Sequence, residues 1–282
     1  MERIIEIERS IIKRYRKKIW NNFVAAVKEY DLINSGDKIA VCISGGKDSV
    51  LLAKCMQQLN RYSEVPFSLE FIVMDPGYNA ENRALIESNA KLLNIPITIF
   101  ESTIFDTVNE VGGSPCYLCA RMRRGNLYAK AKELGCNKIA LGHHFDDAIE
   151  TLLMSMMYSS EIKTMLPKLR STNFEGMELI RPLYKVKEKD IINWATSNDL
   201  HFLACACRFT EKSAEFEGLS KRKETKQIIA DICKINPNAA DNIFRSMHNV
   251  NIGNLVGLRE RDEGRLHEFK EIFDKNFKIS LL

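Results

Sequence analysis

The hexapeptide at residues 44–49 reads Ser-Gly-Gly-Lys-Asp-Ser and links a short apolar run to a helical pattern. Two adjacent glycines at such a junction let bare backbone amides approach an anion, and the dipole of the following helix favours negative charge. The common nucleoside-triphosphate loop has a glycine and a Ser or Thr where this chain has Val41 and Asp48, so this loop is of another kind. An ordinary glycine turn, in which Asp48 or Ser49 caps the helix, is the alternative. For the whole hexapeptide after a buried strand, we predict a phosphate cradle.

A second polar segment, residues 142–147, reads Gly-His-His-Phe-Asp-Asp and follows another apolar strand pattern. Its aspartates could cap a helix while its histidines fill a turn. If its strand neighbours the strand before Ser44, however, both loops open on the crevice where doubly wound sheets bind ligands. Carboxylates and imidazoles at that place would bind Mg²⁺ or offset the charge of a triphosphate. We therefore predict that Gly142, His143 and Asp147 belong to the same site.

The cysteines form a third pattern, because Cys116-x-x-Cys119 is followed by Cys205-x-Cys207. A Cys-x-x-Cys pair is typical of a zinc site, a redox dithiol or an iron–sulfur ligand set. These four thiols would supply the four ligands of zinc, whereas the redox alternative lacks a thioredoxin-like layout. Residue types alone leave zinc and iron–sulfur open. The other cysteines lie in apolar patterns and are predicted to be core residues: Cys42, Cys55, Cys136 and Cys233.

Alternating strand and helix patterns must position these residues. Strands are predicted at residues 38–43, 69–74, 97–101, 138–141 and 178–180, and helices at 48–60, 80–93, 119–134, 147–158 and 187–197. Repeated alternation favours a doubly wound parallel sheet of five strands in an α/β fold. An amphipathic helix is predicted over residues 8–33. Further helices are predicted near residues 221–234, 238–249 and 260–273. We divide the chain into a basic N-terminal helix (1–34), a nucleotide-binding domain (35–200) and a helical extension (201–282).

Composition limits the class of protein. The 282 residues carry a net charge of +4 (41 basic minus 37 acidic residues), and 45% are hydrophobic, which excludes disorder as the main state. No apolar run reaches the roughly 20 residues that cross a bilayer, and the first residues lack a signal-peptide pattern. We therefore expect a cytoplasmic protein without a membrane partner, whose thiols are free or bind metal.

Basic residues cluster near the three patterns, and each cluster alone is usually a solvated helix face. If the clusters converge with the basic face of the first helix, they would form a track that neutralises RNA phosphates. A target base must leave its stack to enter a buried site, which a single-stranded loop allows most easily. The clusters comprise Arg121, Arg123, Arg124, Lys163, Lys168, Arg170, Lys221, Arg222, Lys223 and Lys226.

The 44–49 loop resembles the pyrophosphatase loop of the ATP-pyrophosphatase (PP-loop) superfamily, whose Rossmann-like fold is of the adenine nucleotide alpha hydrolase type. The resemblance implies that Ser44, Gly45, Gly46, Asp48 and Ser49 hold the pyrophosphate part of ATP. It also implies that Lys47 is a counter-charge and that Asp48 binds Mg²⁺. Asp75 stands where the superfamily binds adenine and ribose, and an ordinary turn aspartate is the alternative.

A closer resemblance, from about residue 27 to 248, is to the tRNA 2-thiocytidine synthetase (TtcA-like) family. It lies in residues 116–128 (CYLCARMRRGNLY), 138–147 (KIALGHHFDD), 167–169 (PKL), 181–183 (RPL) and 188–191 (EKDI). In that family three cysteines hold a 4Fe-4S cluster, and Cys116 and Cys119 match the first two. The family shows Cys-x-x-Cys where this chain has Cys-x-Cys, so Cys207 is taken as the third ligand and Cys205 as the alternative.

The resemblance implies an ATP-dependent tRNA sulfurtransferase that forms AMP and pyrophosphate, with Asp48 and the three cysteines as catalytic residues. ATP would adenylate carbon 2 of cytidine at position thirty-two of the tRNA anticodon loop, and sulfur delivered through the cluster would displace AMP. A cysteine desulfurase or free sulfide would supply the sulfur, and the protein would form a homodimer. The alternatives are a paralogue that thiolates another target, such as a tRNA uridine, and a zinc-stabilised nucleotide-binding module without thiolation activity.

Overall fold

The computed structural model describes residues 2–102, 115–203, 217–259 and 266–268. Internal contacts divide the chain into two units, Met1–Asp231 and Ile232–Leu282. The first unit contains the sheet and the predicted nucleotide-binding residues. The three-part division at residues 34 and 200 stays a prediction.

Helices and strands alternate along the first unit, as predicted. Its helices are α1 (Glu2–Ile12), α2 (Asn21–Glu29), α3 (Lys47–Tyr62), α4 (Ala80–Leu92), α5 (Pro115–Glu133), α6 (Phe145–Ser159) and α7 (Glu188–Ser197). Its strands are β1 (Lys38–Ile43), β2 (Ser68–Asp75), β3 (Ile97–Glu101), β4 (Lys138–Ala140), β5 (Lys168–Arg170) and β6 (Glu178–Ile180). Helix α8 (Glu217–Ile235) begins in the first unit, and its last turn belongs to the second. The second unit adds α9 (Ala239–Ser246), β7 (Gly257–Arg259) and β8 (Leu266–Glu268).

The central sheet has the strand order β3-β2-β1-β4-β6-β5. The first five of these strands are parallel, which confirms the predicted doubly wound sheet. Strand β5 pairs antiparallel with β6 at the edge and was not predicted, because its sequence Lys-Leu-Arg contains no apolar run. Strand β1 lies directly beside β4, so the loops that follow these two strands open at the same edge.

Alternate residues of β1 enter two separate hydrophobic clusters. Ile39, Val41 and Ile43 pack in a cluster with residues from α1, α2, α3, α4 and α7. Ala40 and Cys42 pack in the other, with Tyr128 and Ala131 of α5. The sheet is therefore covered by helices on both faces, as its continuous apolar strands require.

The predicted helix over residues 8–33 is interrupted, which corrects that prediction. A wide π-helical turn, Arg16–Trp20, separates α1 from α2. The buried residues recur at intervals of four, namely Ile7, Ile11, Tyr15, Ile19 and Phe23. At about 3.6 residues per turn a regular α-helix would rotate that stripe off the core, whereas one wider turn restores it.

The C-terminal prediction is correct in part. Helices α8 and α9 form where the first two segments were predicted. Residues 266–268, however, lie in a strand that pairs antiparallel with β7, so the helix predicted over residues 260–273 is wrong there. Gly264 weakens helix propensity inside that window, and strand pairing takes precedence over a local pattern.

Three of the four predicted core cysteines are buried: Cys42, Cys55 and Cys136. Cys233 is only partly buried, because it lies in the largely exposed last turns of α8. None of the helices within the described ranges is long and apolar enough to cross a bilayer.

A buried ion pair fixes α1 to the rest of the first unit. The Lys54 ammonium of α3 is fully buried and lies 2.8 Å from Oε1 of Glu8. It also donates to the carbonyl oxygen of Leu93 and to Oε1 of Gln57. Burial lowers the pKa of Lys54, although Glu8 opposes that shift. Removal of Glu8 would therefore leave a cation in the interior with no opposite charge beside it.

We predict that Glu8→Ala lowers the free energy of unfolding by about 3 kcal/mol, because the Lys54 charge loses its partner. Urea denaturation measures this change. Glu6→Ala, on the exposed side of the same helix, is the matched control and should change stability by less than about 0.5 kcal/mol. Equal effects of the two substitutions would show that the ion pair does not anchor α1.

Candidate active site

The predicted phosphate cradle forms the turn between β1 and α3. Gly46 is the N-cap residue of α3, and no side chain caps this helix end. Ser49 instead supports the loop from within, since its hydroxyl accepts from the Ser44 amide at 3.1 Å and donates to the Gly46 carbonyl at 2.9 Å. The alternative in which Asp48 or Ser49 caps the helix is therefore wrong. A helix start without a side-chain cap can bind an anion.

Gly45 fits a place that no larger residue could occupy without strain. Its φ of +82° lies in the left-handed region. A Cβ atom there would lie 2.8 Å from Ile86 Cγ1 of α4 and 2.8 Å from Leu203 Cδ1. The Gly45 carbonyl also accepts a hydrogen bond from the Leu203 amide at 3.2 Å. The back of the cradle is thus packed against α4 and against residue 203.

The second loop touches the cradle, as predicted. Gly142 follows β4, and a Cβ atom on it would come within 3.0 Å of backbone atoms of Asp48 and Ser49. This contact explains the glycine, because any side chain would push the two loops apart. The structure gives Gly142 a packing role, and its predicted part in ligand binding stays a prediction.

His144, which the sequence analysis did not select, lies between the two loops. It is 4% exposed, and its Nε2 lies 3.9 Å from Asp48 Oδ1 and 3.5 Å from Asp147 Oδ2. Its backbone amide donates to Asp147 Oδ2 at 2.9 Å. Its position as N-cap of α6 is the sequence signal that could have identified it. The selected His143 is also partly buried, and burial together with the Arg181 charge lowers its pKa to about 4.

Charged side chains from four elements form a closed circuit around the cradle, which we call the ion-pair ring. Lys47 lies 3.3 Å from Asp48 and 3.1 Å from Glu188 of α7. Lys226 of α8 lies 3.0 Å from Glu188 and 3.6 Å from Glu150. Arg222 of α8 lies 2.7 Å from Glu150 and 2.5 Å from Asp147. The members are Lys47, Asp48, His144, Asp147, Glu150, Glu188, Arg222 and Lys226.

The pKa of each carboxylate in the ring depends on its burial and on the cations beside it. Burial would raise the pKa of Glu188, but Lys226 and Lys47 prevail and lower it to about 2. For Asp147, His144, His143 and Arg222 likewise outweigh burial and lower the pKa. For Asp48 burial prevails over His144 and Lys47, and the pKa is raised. A cation bound beside Asp48 would therefore oppose the effect of burial on this carboxylate.

A cavity of about 530 Å³ opens beside the cradle. Ser44, Gly46, Lys47 and Asp48 form one wall, and Arg123 of α5 contributes a cationic side chain. The opposite wall is apolar and includes Ala195, Phe202 and Leu203. Its volume suits a ligand of nucleotide size, with polar groups at one end and apolar surface at the other.

Asp75 supports the turn after β2. Its Oδ1 accepts from the amides of Gly77 and Tyr78 at 2.8 and 2.7 Å, and its Oδ2 lies 2.9 Å from Arg83 Nη1. The carboxylate thus has the contacts of a turn aspartate, which was the alternative to nucleotide binding. Its predicted role beside adenine and ribose stays a prediction.

The Cys116–Cys119 pair lies in the first turns of α5. Farther along this helix, Asn126 donates to the hydroxyl of Ser102, which directly follows β3. The start of α5 therefore lies beyond the carboxyl edge of the sheet, where the cradle also opens. Cys205 and Cys207 lie outside the described residues. Leu203, which precedes them, contacts Gly45.

The structure separates the predicted basic clusters. Arg222 and Lys226 belong to the ion-pair ring, so their charges are already balanced by carboxylates. Arg170 lies opposite Glu178, at the amino end of β6 and away from the cradle. Arg123 lines the cavity, and Arg124 is exposed. Arg121 lies in the part of α5 whose side chains are outside the description.

We predict that Gly45→Ala destabilises the protein by about 2 kcal/mol more than Gly176→Ala does, and that it weakens nucleotide binding. Both glycines have positive φ, but a Cβ at Gly176 meets nothing within 4 Å. The difference between the free energies of unfolding of the two variants therefore measures the effect of close packing at Gly45. Urea denaturation and calorimetric titration with ATP measure the two effects, and equal destabilisation by both substitutions would contradict the packing argument.

We predict that Glu188→Gln lowers the free energy of unfolding by about 2 kcal/mol at pH 7. The pKa of Glu188 is about 2 in the folded chain against an ordinary 4.5. Its stabilising contribution is therefore complete above pH 4.5 and is lost as the pH falls towards 2. The gap between variant and wild type should narrow between about pH 5 and pH 3, with Glu64→Gln as the exposed control. A gap that stays constant over this range would exclude the charge of Glu188 as its cause.

Comparison with known proteins shows which families this chain is similar to. The profile of the PP-loop domain family matches residues 12–207. The tRNA-cytidine(32) 2-sulfurtransferase of Geobacter metallireducens is 35% identical over 247 residues, covering 86% of this chain and 93% of the relative. The protein of the same name from Coxiella burnetii is 34% identical, covering 86% and 94%.

One solved structure shares the fold. The U34-tRNA thiolase NcsA from Methanococcus maripaludis, determined with its 4Fe-4S cluster, superimposes with a TM-score of 0.63 and 21% identity, covering 81% of this chain and 77% of that one. The match over 196 residues to the PP-loop profile (residues 12–207) and the identity to full-length relatives agree with the sequence resemblance. The chain belongs to the PP-loop family and, within it, to the family of the tRNA-cytidine(32) 2-sulfurtransferases.

Proposed function

We propose that this protein is an ATP-dependent sulfurtransferase that replaces the oxygen on carbon 2 of cytidine 32 in the tRNA anticodon loop with sulfur. The observation that carries the proposal is the convergence of three features at one edge of the sheet. These are the phosphate cradle, the histidine–aspartate loop that touches it, and the amino end of the helix with Cys116 and Cys119. The relatives named above carry this activity in their names.

ATP would bind with its pyrophosphate part at Ser44, Gly45, Gly46 and Ser49. The uncapped start of α3 supplies amide groups for the phosphate oxygens. Lys47, which now lies between Asp48 and Glu188, would supply a counter-charge. Gly142, His143 and Asp147 would line the adjoining part of the nucleotide site, and Asp75 would lie near the adenosine.

Asp48 fits the predicted role of a Mg²⁺ ligand. Its Oδ1 is buried and has no hydrogen-bond partner among the described residues. The same residues contain no group of three or more His, Cys, Asp or Glu side chains that could hold a metal ion. Mg²⁺ commonly binds through one or two carboxylates together with substrate phosphates and water. Asp48 would therefore act in catalysis by joining the cation to the pyrophosphate.

Cys116, Cys119 and Cys207, with Cys205 as the alternative to Cys207, would hold a 4Fe-4S cluster. Thiolates are the donors that such clusters require, and Cys116 and Cys119 are three positions apart in α5. A cluster held by three cysteines would supply one iron without a protein ligand, at which sulfur can be handled. The shared fold of the archaeal thiolase, whose structure contains such a cluster, supports this assignment.

The chemistry divides into two steps. The carbonyl oxygen on carbon 2 attacks the α-phosphorus of ATP, the bond to the bridging oxygen breaks, and pyrophosphate leaves. Lys47 would stabilise the negative charge that develops on pyrophosphate, and Asp48 would hold the cation that adds to this stabilisation. Sulfide would then attack carbon 2, and the oxygen would leave with AMP. The cavity beside the cradle would limit the access of water to the adenylated base between the steps.

The remaining parts of the proposal rest on the family resemblance. A cysteine desulfurase or free sulfide would supply the sulfur, and the protein would act as a homodimer in the cytoplasm. A tRNA uridine is the second candidate target, which the U34-tRNA thiolase with the same fold favours. A zinc-stabilised nucleotide-binding module is the candidate without thiolation activity.

We predict that the protein, purified without oxygen and supplied with ATP, Mg²⁺, sulfide and unmodified tRNA, forms 2-thiocytidine, AMP and pyrophosphate. Mass spectrometry of digested tRNA measures the product nucleoside. Formation of a thiouridine instead would favour the second target. A protein that binds ATP and zinc, lacks the broad absorbance of iron–sulfur clusters near about 400 nm and modifies no base would be the binding module.

We predict that Cys116→Ala abolishes thiolation while ATP binding changes less than about twofold, because the cradle is formed by other elements. Cys136→Ala, at a buried cysteine of the hydrophobic core, is the matched control and should retain thiolation. Iron content and nucleoside analysis measure the outcome. Thiolation by Cys116→Ala would exclude this thiol from the reaction.

A further inference from the structure

Arg181 and His143 follow two neighbouring parallel strands and lie close together at the carboxyl edge of the sheet. Strand β4 pairs with β6 so that Ala140 is opposite Ile180. The Leu141 amide extends this pairing with a hydrogen bond of 3.0 Å to the Ile180 carbonyl. Arg181 directly follows β6, and His143 is the third residue after β4. Neither residue is a member of the ion-pair ring.

Both side chains keep buried polar atoms for which the described part of the chain offers no hydrogen-bond partner. Arg181 is 5% exposed; its Nη1 donates to the Leu166 carbonyl, but its Nε has no partner among the described residues. His143 Nδ1 is in the same situation. A buried polar group without a hydrogen-bond partner lowers the stability of the fold by about 1–3 kcal/mol, and by more if it is charged. Two such groups side by side, Arg181 Nε and His143 Nδ1, therefore indicate a ligand that bonds to both.

The charges around this pair are mainly positive. Arg181 interacts with Arg124 of α5 and with the phenols of Tyr128 and Tyr184, and burial followed by Arg124 lowers its pKa to about 10. His143 interacts with Arg181, Arg222 and His144. Asp147 is the acid that acts on both groups, and it already pairs with Arg222. A buried place with more cationic than anionic groups suits an anion.

We propose that Arg181 and His143, with Arg124 at the rim, form an anion subsite that binds a phosphate group during thiolation. The subsite lies between the histidine–aspartate loop and the helix of Cys116 and Cys119. An arginine fork suits a tetrahedral phosphate, because two N–H groups can donate in parallel. The inference rests on the proposed function for the source of the phosphate. That source is the α-phosphate, which passes from ATP to the adenylated base and then to AMP, or a backbone phosphate of the RNA.

Calorimetric titration of the full-length protein with AMP, with pyrophosphate and with an anticodon stem-loop RNA tests the proposal. Arg181→Gln should weaken AMP binding about tenfold to a hundredfold, since it removes a charge-assisted contact. Pyrophosphate, held by the cradle, should bind within about twofold of wild type. Arg181→Lys should recover part of the loss, because it restores the charge without the fork. Arg170→Gln, at the amino end of the sheet, is the matched control and should bind AMP and pyrophosphate normally.

His143→Gln gives a second, independent variant, and thermal unfolding shows whether each variant is folded. If Arg181→Gln does not fold, the AMP and RNA affinities of His143→Gln decide the question. A loss confined to RNA binding identifies the backbone phosphate as the ligand, and a loss of AMP binding identifies the α-phosphate. Normal binding of both ligands by folded variants, or an equal loss of pyrophosphate, would overturn the proposal. If the wild-type protein thiolates no tRNA but binds AMP more tightly than Arg181→Gln does, the proposed function is refuted and the anion subsite is supported.

Discussion

Four carboxylates lie at or beside the phosphate cradle, where water is largely displaced by protein. Each would be unstable there without an opposite charge, because desolvation of a carboxylate costs several kcal/mol. The ion-pair ring meets this constraint with Lys47 of α3 and with Arg222 and Lys226 of α8, whose partners across the ring lie on α6 and α7. The carboxyl edge of the sheet therefore holds its shape only when α3, α6, α7 and α8 are all in place.

The same ring prepares the site for a highly charged ligand. A triphosphate brings several negative charges towards Lys47, which now pairs with Asp48 and Glu188. If Lys47 turns to the phosphates, Glu188 keeps Lys226 as a partner, and Asp48 gains the cation that accompanies ATP. Glu188 and Asp48 thus each still have a positive charge beside them after ATP has bound. The low pKa of Glu188 and the raised pKa of Asp48 reflect these different positions.

The parts of the fold that could be predicted are those with strong local periodicity. Strand β1, the glycine pair and the start of α3 form one continuous pattern, and the neighbouring position of β4 followed from the rules of doubly wound sheets. Partnerships across the sequence were not predictable. Lys47 and Glu188, or Asp147 and Arg222, are far apart in the chain and leave no local signal. His144 was not selected from the sequence for a similar reason, since two adjacent histidines differ only in which way the turn directs them.

Residue 203 is bonded to the cradle at Gly45, and residue 222 is paired with the loop of the second signature at Asp147. Cys205 and Cys207 therefore stand in a stretch of the chain whose two ends are joined to these two loops. A substitution that displaces either loop would therefore also displace one end of the stretch that contains Cys205 and Cys207.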